Sequence, residues 1–348
     1  MHAAESNIKQ AIETLLNTDS YPGELLAAAQ ELHALLCSIL DIDDNRQTSD
    51  IAGQTILPSG KAICPMDAGR CVTDMMRTSA YFRGLVAAVE EAQQRFPGTT
   101  LRILYAGSGP FASLMLPLLV RFGPEDLQCT LIDIHEYSLN ACKTLHEKLG
   151  WSEYVEDYIL GDATRLEFDT DFHILVTETM LRALEKEPQV SITAHLGRYL
   201  HPQGLLVPQN ISITAQMANP TNEYFVPPPG QESAKRPENF RKRRMIGRVM
   251  DLNLDTAALF PIPADADEIL VPLTDLEMPE DISDFPVLML FTRIEVFGDH
   301  VLKDYESGLT NPLPMNLPPG VKSGDTLHFS YRISDDPRIV CRVTSGSL

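Results

Sequence analysis

Leu104-Tyr105-Ala106-Gly107-Ser108-Gly109-Pro110-Phe111-Ala112 closes the apolar run 101–105 and opens the helical pattern of residues 114–122. Glycines at a strand-to-helix turn let the backbone bend sharply and let its N–H groups approach a ligand at the carboxyl end of a sheet. The same letters satisfy G-x-G-x-x-A, a pattern that dinucleotide-binding dehydrogenases share. Asp133 stands 26 residues beyond Gly107, at the end of the next apolar run. In either reading its carboxylate accepts hydrogen bonds from ribose hydroxyls. Gly107, Ser108, Gly109 and Asp133 therefore predict a bound nucleoside and leave the reaction open.

Outward from this turn, strand and helix patterns alternate. After the strand at 101–105 and the helix at 114–122 come a strand at 129–132, a helix at 138–149, and strands near 158–160 and 173–177. A helix at 188–200 and a strand at 205–207 complete the series. Such alternation predicts a doubly wound α/β, Rossmann-like domain with a parallel sheet. Upstream, Ile8, Ile12, Leu15, Leu25, Leu32 and Leu36 recur at helical spacing around Tyr21-Pro22-Gly23, which predicts a helical hairpin. The stretch 42–60 reads as a loop, and a helix returns over 72–92. Beyond Pro208 short β runs at 211–215, 287–297 and 326–333 alternate with turn residues, as in an antiparallel barrel or sandwich. The expected organisation is an N-terminal helical segment (1–60), a nucleoside-binding domain (61–208) and a β-rich domain (209–348).

The formal net charge of −20 disfavours nucleic acid and anionic lipid as partners and favours a small cationic ligand. No apolar run of the roughly eighteen residues that a membrane span needs is present, and the first residues lack a leader pattern, so a cytoplasmic location is expected. The six cysteines fall in no metal-ligand spacing, so no metal is expected. One basic run, Lys235, Arg236, Arg241, Lys242, Arg243 and Arg244, follows a proline-rich stretch at 226–230 and is expected to be an exposed helix.

These segments, in this order, resemble the class I S-adenosylmethionine-dependent methyltransferases, and three more narrow the resemblance to the protein arginine methyltransferase family. Asp74-Met75-Met76-Arg77-Thr78-Ser79-Ala80-Tyr81 is similar to that family's D-x-x-R-T-x-x-Y helix. The resemblance assigns Arg77 to the carboxylate of the cofactor's methionine moiety, which suits a planar guanidinium fork. Val176-Thr177-Glu178-Thr179-Met180, with Glu187 nine residues beyond Glu178, resembles the family's paired-glutamate loop. In that loop two carboxylates grip a guanidinium and aim one nitrogen at the methyl group. Asp162 and Ala163, after the third strand, would meet the adenine. Residues 199–208 resemble the family's segment leading into its barrel.

Departures from the family bear on the acceptor. Thr179-Met180-Leu181 replaces a Trp-Met-Gly wall, with Met180 a candidate acceptor contact. No His-Trp pair stands in the barrel, where Tyr305 and Glu306 are candidate replacements. The family's helical dimerisation arm has its only counterpart near 230–250, from which a homodimer is expected. The leading expectation is methyl transfer to a guanidino nitrogen of free arginine or a related small cation, with Glu178 and Glu187 as the catalytic pair and a helical N-terminal segment able to close over the pocket. The alternatives are a protein arginine methyltransferase, a methyltransferase for another small molecule, an NAD-dependent oxidoreductase and a non-catalytic scaffold.

Overall fold

The N-terminal apolar spacing produces helices α1 (His2–Leu16) and α2 (Pro22–Leu40). The computed structural model describes residues 2–42, 53–224, 240–262 and 268–345. Pro22 occupies the first turn of α2, where a missing N–H costs nothing. A short antiparallel hairpin, β1 (Thr55–Leu57) and β2 (Gly60–Ala62), follows in a region expected to be loop. Then come α3 (Pro65–Arg70) and the long α4 (Met75–Arg95). Ile8, Ile12, Leu15, Leu32 and Leu36 are completely buried together with Tyr81, Phe82 and Val89 of α4 in one hydrophobic core. The Arg83 guanidinium donates to the carbonyls of Leu16 and Asn17, and Ser79 Oγ to that of Leu15, so α4 caps the end of α1. Helix α2 is long and apolar enough to cross a membrane, but Leu25, Ala28, Ala29, Leu32, Leu36 and Cys37 bury its inner face in the protein core.

Five parallel strands then form the central sheet: β3 (Leu101–Ala106), β4 (Leu127–Asp133), β5 (Val155–Leu160), β6 (Phe172–Thr177) and β7 (Leu200–Val207). Their order is β5-β4-β3-β6-β7. Between them run α5 (Leu116–Arg121), α6 (Glu136–Leu149) and α7 (Gln189–Leu196). Strand order reverses between β3 and β6, which opens a crevice at their carboxyl ends. Ala106 pairs with Ile132 on one side and Thr177 on the other, so the segments carrying Gly107, Asp133 and Glu178 leave the sheet side by side.

The rest of the chain is antiparallel. Strands β8 (Asn210–Ala218), β9 (Arg243–Leu252), β11 (Val287–Phe297), β12 (His300–Leu302) and β13 (Leu313–Met315) form one sheet; β10 (Ile269–Glu277), β14 (Thr326–Ile333) and β15 (Arg338–Thr344) form a second. Gly84 of α4 lies against β11 so closely that a Cβ there would stand 2.5 Å from Val296 Cγ1. The expected basic helix and dimerisation arm is corrected in its described part: residues 243–252 are strand β9, paired with β8. The register between β8 and β9 shifts twice, at Ile213/Thr214 and Ala215/Gln216. Each shift breaks the alternation by which a strand announces itself. Residues 240–242, with Arg241 and Lys242, are turn and irregular chain rather than helix; residues 230–239 of that arm, with Lys235 and Arg236, and the proline-rich stretch lie outside the described residues.

Candidate functional site

At the carboxyl ends of β3, β4 and β6 lies a partly open pocket that gathers Gly107, Ser108, Gly109, Asp133, Asp162, Ala163, Arg77, Glu178 and Glu187. Gly107 and Gly109 take left-handed backbone, φ 76° and 61°. The N–H groups of Gly107 and Ser108 donate to the Ile132 carbonyl, and that of Gly109 donates to Asp133 Oδ2 at 2.8 Å. All three N–H groups of the turn are therefore already paired within the protein, and none is left as a free donor to a ligand. Gly107 has a second duty, because a Cβ there would come within 2.4 Å of Thr179 Cγ2.

Asp133 is buried and locks two segments together, with Oδ2 on Gly109 and Oδ1 accepting from the His135 N–H at 2.8 Å. Each oxygen keeps a lone pair, so the carboxylate can also accept from a diol. Asp162 closes its own turn, accepting from the N–H and hydroxyl of Thr164 at 2.9 and 2.7 Å, while still lining the cavity. Ser138 was not anticipated: its buried hydroxyl lines the cavity with no hydrogen-bond partner among the described residues.

Arg77 sits in the first turn of α4. Asp74 caps that turn by accepting from the Arg77 N–H, and its other oxygen takes the Ser307 hydroxyl at 2.6 Å. This holds the helix start against the β-rich domain and directs the Arg77 guanidinium into an ion pair with Glu178. The pair is largely buried, its side chains 14% and 3% exposed.

The loop from Glu178 to Glu187 is fastened from three directions. Gln189 of α7 accepts from the Thr179 N–H at 2.8 Å and donates to the Thr177 carbonyl. In the β-rich domain, Thr292 Oγ1 accepts from the Ala183 N–H, the Tyr331 hydroxyl donates to the Leu184 carbonyl, and the Pro337 carbonyl accepts from the Lys186 N–H. From the hairpin, the Lys61 N–H donates to the Lys186 carbonyl at 2.7 Å. Ala183, Leu184 and Lys186 all have positive φ, a strained state that such anchoring sustains. Tyr331→Phe strips the Leu184 carbonyl of its buried donor and is expected to cost about 1–3 kcal/mol. An unchanged denaturant midpoint would show that this anchor contributes nothing.

Glu187, at the end of this loop, has its carboxyl pushed up to about 7 by burial, against the pull of the Arg77 and Lys61 cations. Two cations, Lys61 and Arg77, thus share the cavity wall with four carboxylates, Asp133, Asp162, Glu178 and Glu187.

Three expected acceptor contacts are corrected. Met180 is 3% exposed and packs into the core, away from the cavity lining. The Tyr305 hydroxyl donates to Glu223 Oε1 at 2.5 Å, and Glu306 accepts from the Lys303 N–H at 2.7 Å; neither lines the cavity. Nor do α1 and α2 cover the pocket. The residues upstream of α4 that line it are Leu57, Lys61, Ala62 and Ile63 of the hairpin region, with Ala68 and Cys71 at α3.

No protein-family model and no curated protein sequence matches the chain. Among solved structures it is similar to the Trypanosoma brucei PRMT1 enzyme-prozyme heterotetrameric complex with AdoHcy and to Arabidopsis thaliana protein arginine methyltransferase 10. Each is 12% identical at a TM-score of 0.49, with 80% of this chain and 92% of theirs covered.

Proposed function

We propose that this chain is an S-adenosylmethionine-dependent N-methyltransferase whose acceptor is a guanidino group on a small cation such as free arginine. The observation that carries this reading is the placing of Glu178 and Glu187 in the same cavity as the Gly107–Gly109 turn and Asp133. The cavity's two excess carboxylates also match the charge of its intended occupants. A cofactor with sulfonium, ammonium and carboxylate groups carries one net positive charge, and a guanidinium carries another.

The residues present fit the cofactor. Asp133 accepts from the ribose hydroxyls, Ser138 supplies an otherwise unpaired hydroxyl, Asp162 and Ala163 border the base, and Arg77 is within the same wall for the carboxylate. When bound, S-adenosylmethionine supplies an electrophilic methyl group on positive sulfur. Glu178 and Glu187 hold the guanidinium by its N–H groups and aim one nitrogen lone pair along the carbon–sulfur axis. Bound there, the cofactor would give up its methyl to that nitrogen and keep the carbon–sulfur bonding pair on its sulfur, and Glu187 would take the proton shed by nitrogen. A carboxyl with a midpoint near 7 suits that exchange.

The same midpoint favours a second reading, in which Glu187 is the general base for another small nucleophile. Clamp loss raises KM most for a cation, whereas base loss lowers kcat, so the kinetic split in Glu187→Gln separates the two. In either case activity is expected to fall about tenfold per pH unit below pH 7, as Glu187 protonates. A rate flat between pH 5 and 8 would remove Glu187 from the chemistry.

Calorimetric titration with S-adenosylhomocysteine, repeated with L-arginine, tests the central reading, with mass spectrometry of arginine incubated with S-adenosylmethionine alongside. Binding with gain of one methyl mass is expected. Binding without that gain sinks the arginine assignment, and a folded sample that binds no S-adenosylhomocysteine sinks the methyltransferase.

A further inference from the structure

The β1–β2 hairpin has no role in the reading above, yet it reaches the acceptor carboxylate from outside both domains. Gly60, the first residue of β2, at φ 141°, lies against the glutamate loop so closely that a Cβ would stand 3.0 Å from the Glu187 carbonyl carbon and the Pro188 nitrogen. The next residue, Lys61, is tied to the loop by its backbone N–H at 2.7 Å from the Lys186 oxygen. Its half-buried side chain lines the same cavity as Glu187. A side chain at position 60 would push this strand outward, so the glycine is what brings the lysine within electrostatic range.

The charged groups around Glu187 come from each element packed there: Arg77 from α4, Glu178 from its own loop and Lys61 from β2. Cys71, Tyr105, Asp133, His135 and Asp162 complete the titratable lining. Arg77 is already in contact with Glu178. Among the described residues no carboxylate makes salt-bridge contact with the Lys61 ammonium, so its field acts across the cavity, where water screens poorly.

We propose that Lys61 is a positioning residue for Glu187, delivered by the β1–β2 hairpin to favour the ionised form of that buried carboxylate. Burial alone favours the neutral acid, which neither grips a cation nor takes a proton. Without Lys61 the site contains the same two glutamates, with the balance at Glu187 tipped further toward the neutral acid at neutral pH. The proposal rests on Glu187 being a working carboxylate, but its charge state is a property of the protein without any acceptor.

The test therefore reads Glu187 directly. Carboxyl-labelled glutamate NMR of the full chain, with the Glu187 signal assigned by its loss in Glu187→Gln, gives the titration midpoint in wild type, Lys61→Met, Lys61→Gln and Lys61→Arg. Removing the cation is expected to raise the midpoint by about one pH unit, tenfold in proton affinity, and Lys61→Arg to restore it. All variants keep the backbone bond to Lys186, and Lys61→Gln serves if the methionine variant does not fold. An unmoved midpoint in the neutral variants overturns the proposal, as does an equal shift in Lys61→Arg, which would mark lost packing. Where methyl transfer is measurable, the acid limb of its pH profile is expected to move by the same amount. A chain that methylates none of the acceptors tried leaves the NMR result to decide about Lys61, so the two ideas fail separately.

Discussion

Glu178→Gln is expected to lower turnover on the order of a thousandfold and to destabilise the fold by about 3–5 kcal/mol. The shape of the side chain is kept, but the charge facing Arg77 is lost. Arg77 is only 14% exposed and enters its pair from a helix end fixed by Asp74. It would lose the carboxylate it contacts and keep only the more distant Asp74 and Glu187, and breaking a buried pair in this way costs far more than the pair's net contribution. Denaturant unfolding reads the stability loss, and steady-state kinetics with saturating cofactor reads the turnover. Wild-type turnover in the variant would sink the assignment of Glu178 as an acceptor ligand, whatever the stability did.

Glu187→Gln is expected to do the opposite to stability while also removing activity. The ordinary midpoint of this carboxyl is 4.5, and in the folded chain it is about 7. Below 4.5 both folded and unfolded chains carry the proton, and the contribution from the raised midpoint is fully present. As pH rises toward 7 the unfolded chain releases the proton while the folded chain retains it, so stability is lost through that window. Above 7 the charged folded form carries a penalty of about 3 kcal/mol. Glutamine never ionises, so the variant is expected to match wild type near pH 4 and to exceed it by up to about 3 kcal/mol at pH 8. Equal stabilities at both pH values would show that Glu187 does not titrate abnormally. Opposite signs for two glutamates nine residues apart follow from what surrounds them: one is neutralised by contact, the other is buried against cations that it does not touch.

The parallel domain was legible because its signals are local. A glycine turn after β3, an aspartate ending β4 and a glutamate after β6 each sit at a strand end, and a parallel sheet brings successive strand ends to one edge. Arg77 was legible only through the resemblance of its helix segment to a family motif. Side-chain direction was not. Met180 stands two residues beyond Glu178, but the loop turns it into the core, which no motif position encodes. Tyr305 and Glu306 have suitable chemistry, and only their partners Glu223 and the Lys303 N–H show that they serve their own domain. The hairpin escaped notice because three-residue strands are too short to display a period. Strand β9 escaped because two register shifts erase its alternation.

The anchoring of the Glu178–Glu187 loop has a consequence for how acceptor choice changes over generations. The donor side of the cavity is written almost wholly in the parallel domain, at Gly107, Ser108, Asp133 and Asp162. The acceptor side is a seam, its backbone held by Thr292, Tyr331 and Pro337 from one neighbour and by Lys61 from another. Drift in the β-rich domain or the hairpin can therefore re-aim two glutamates without altering either one. On the proposed reading, selection for a new acceptor would not need to touch the methyl donor's cradle, and chains with identical glutamates would be able to diverge in what they methylate.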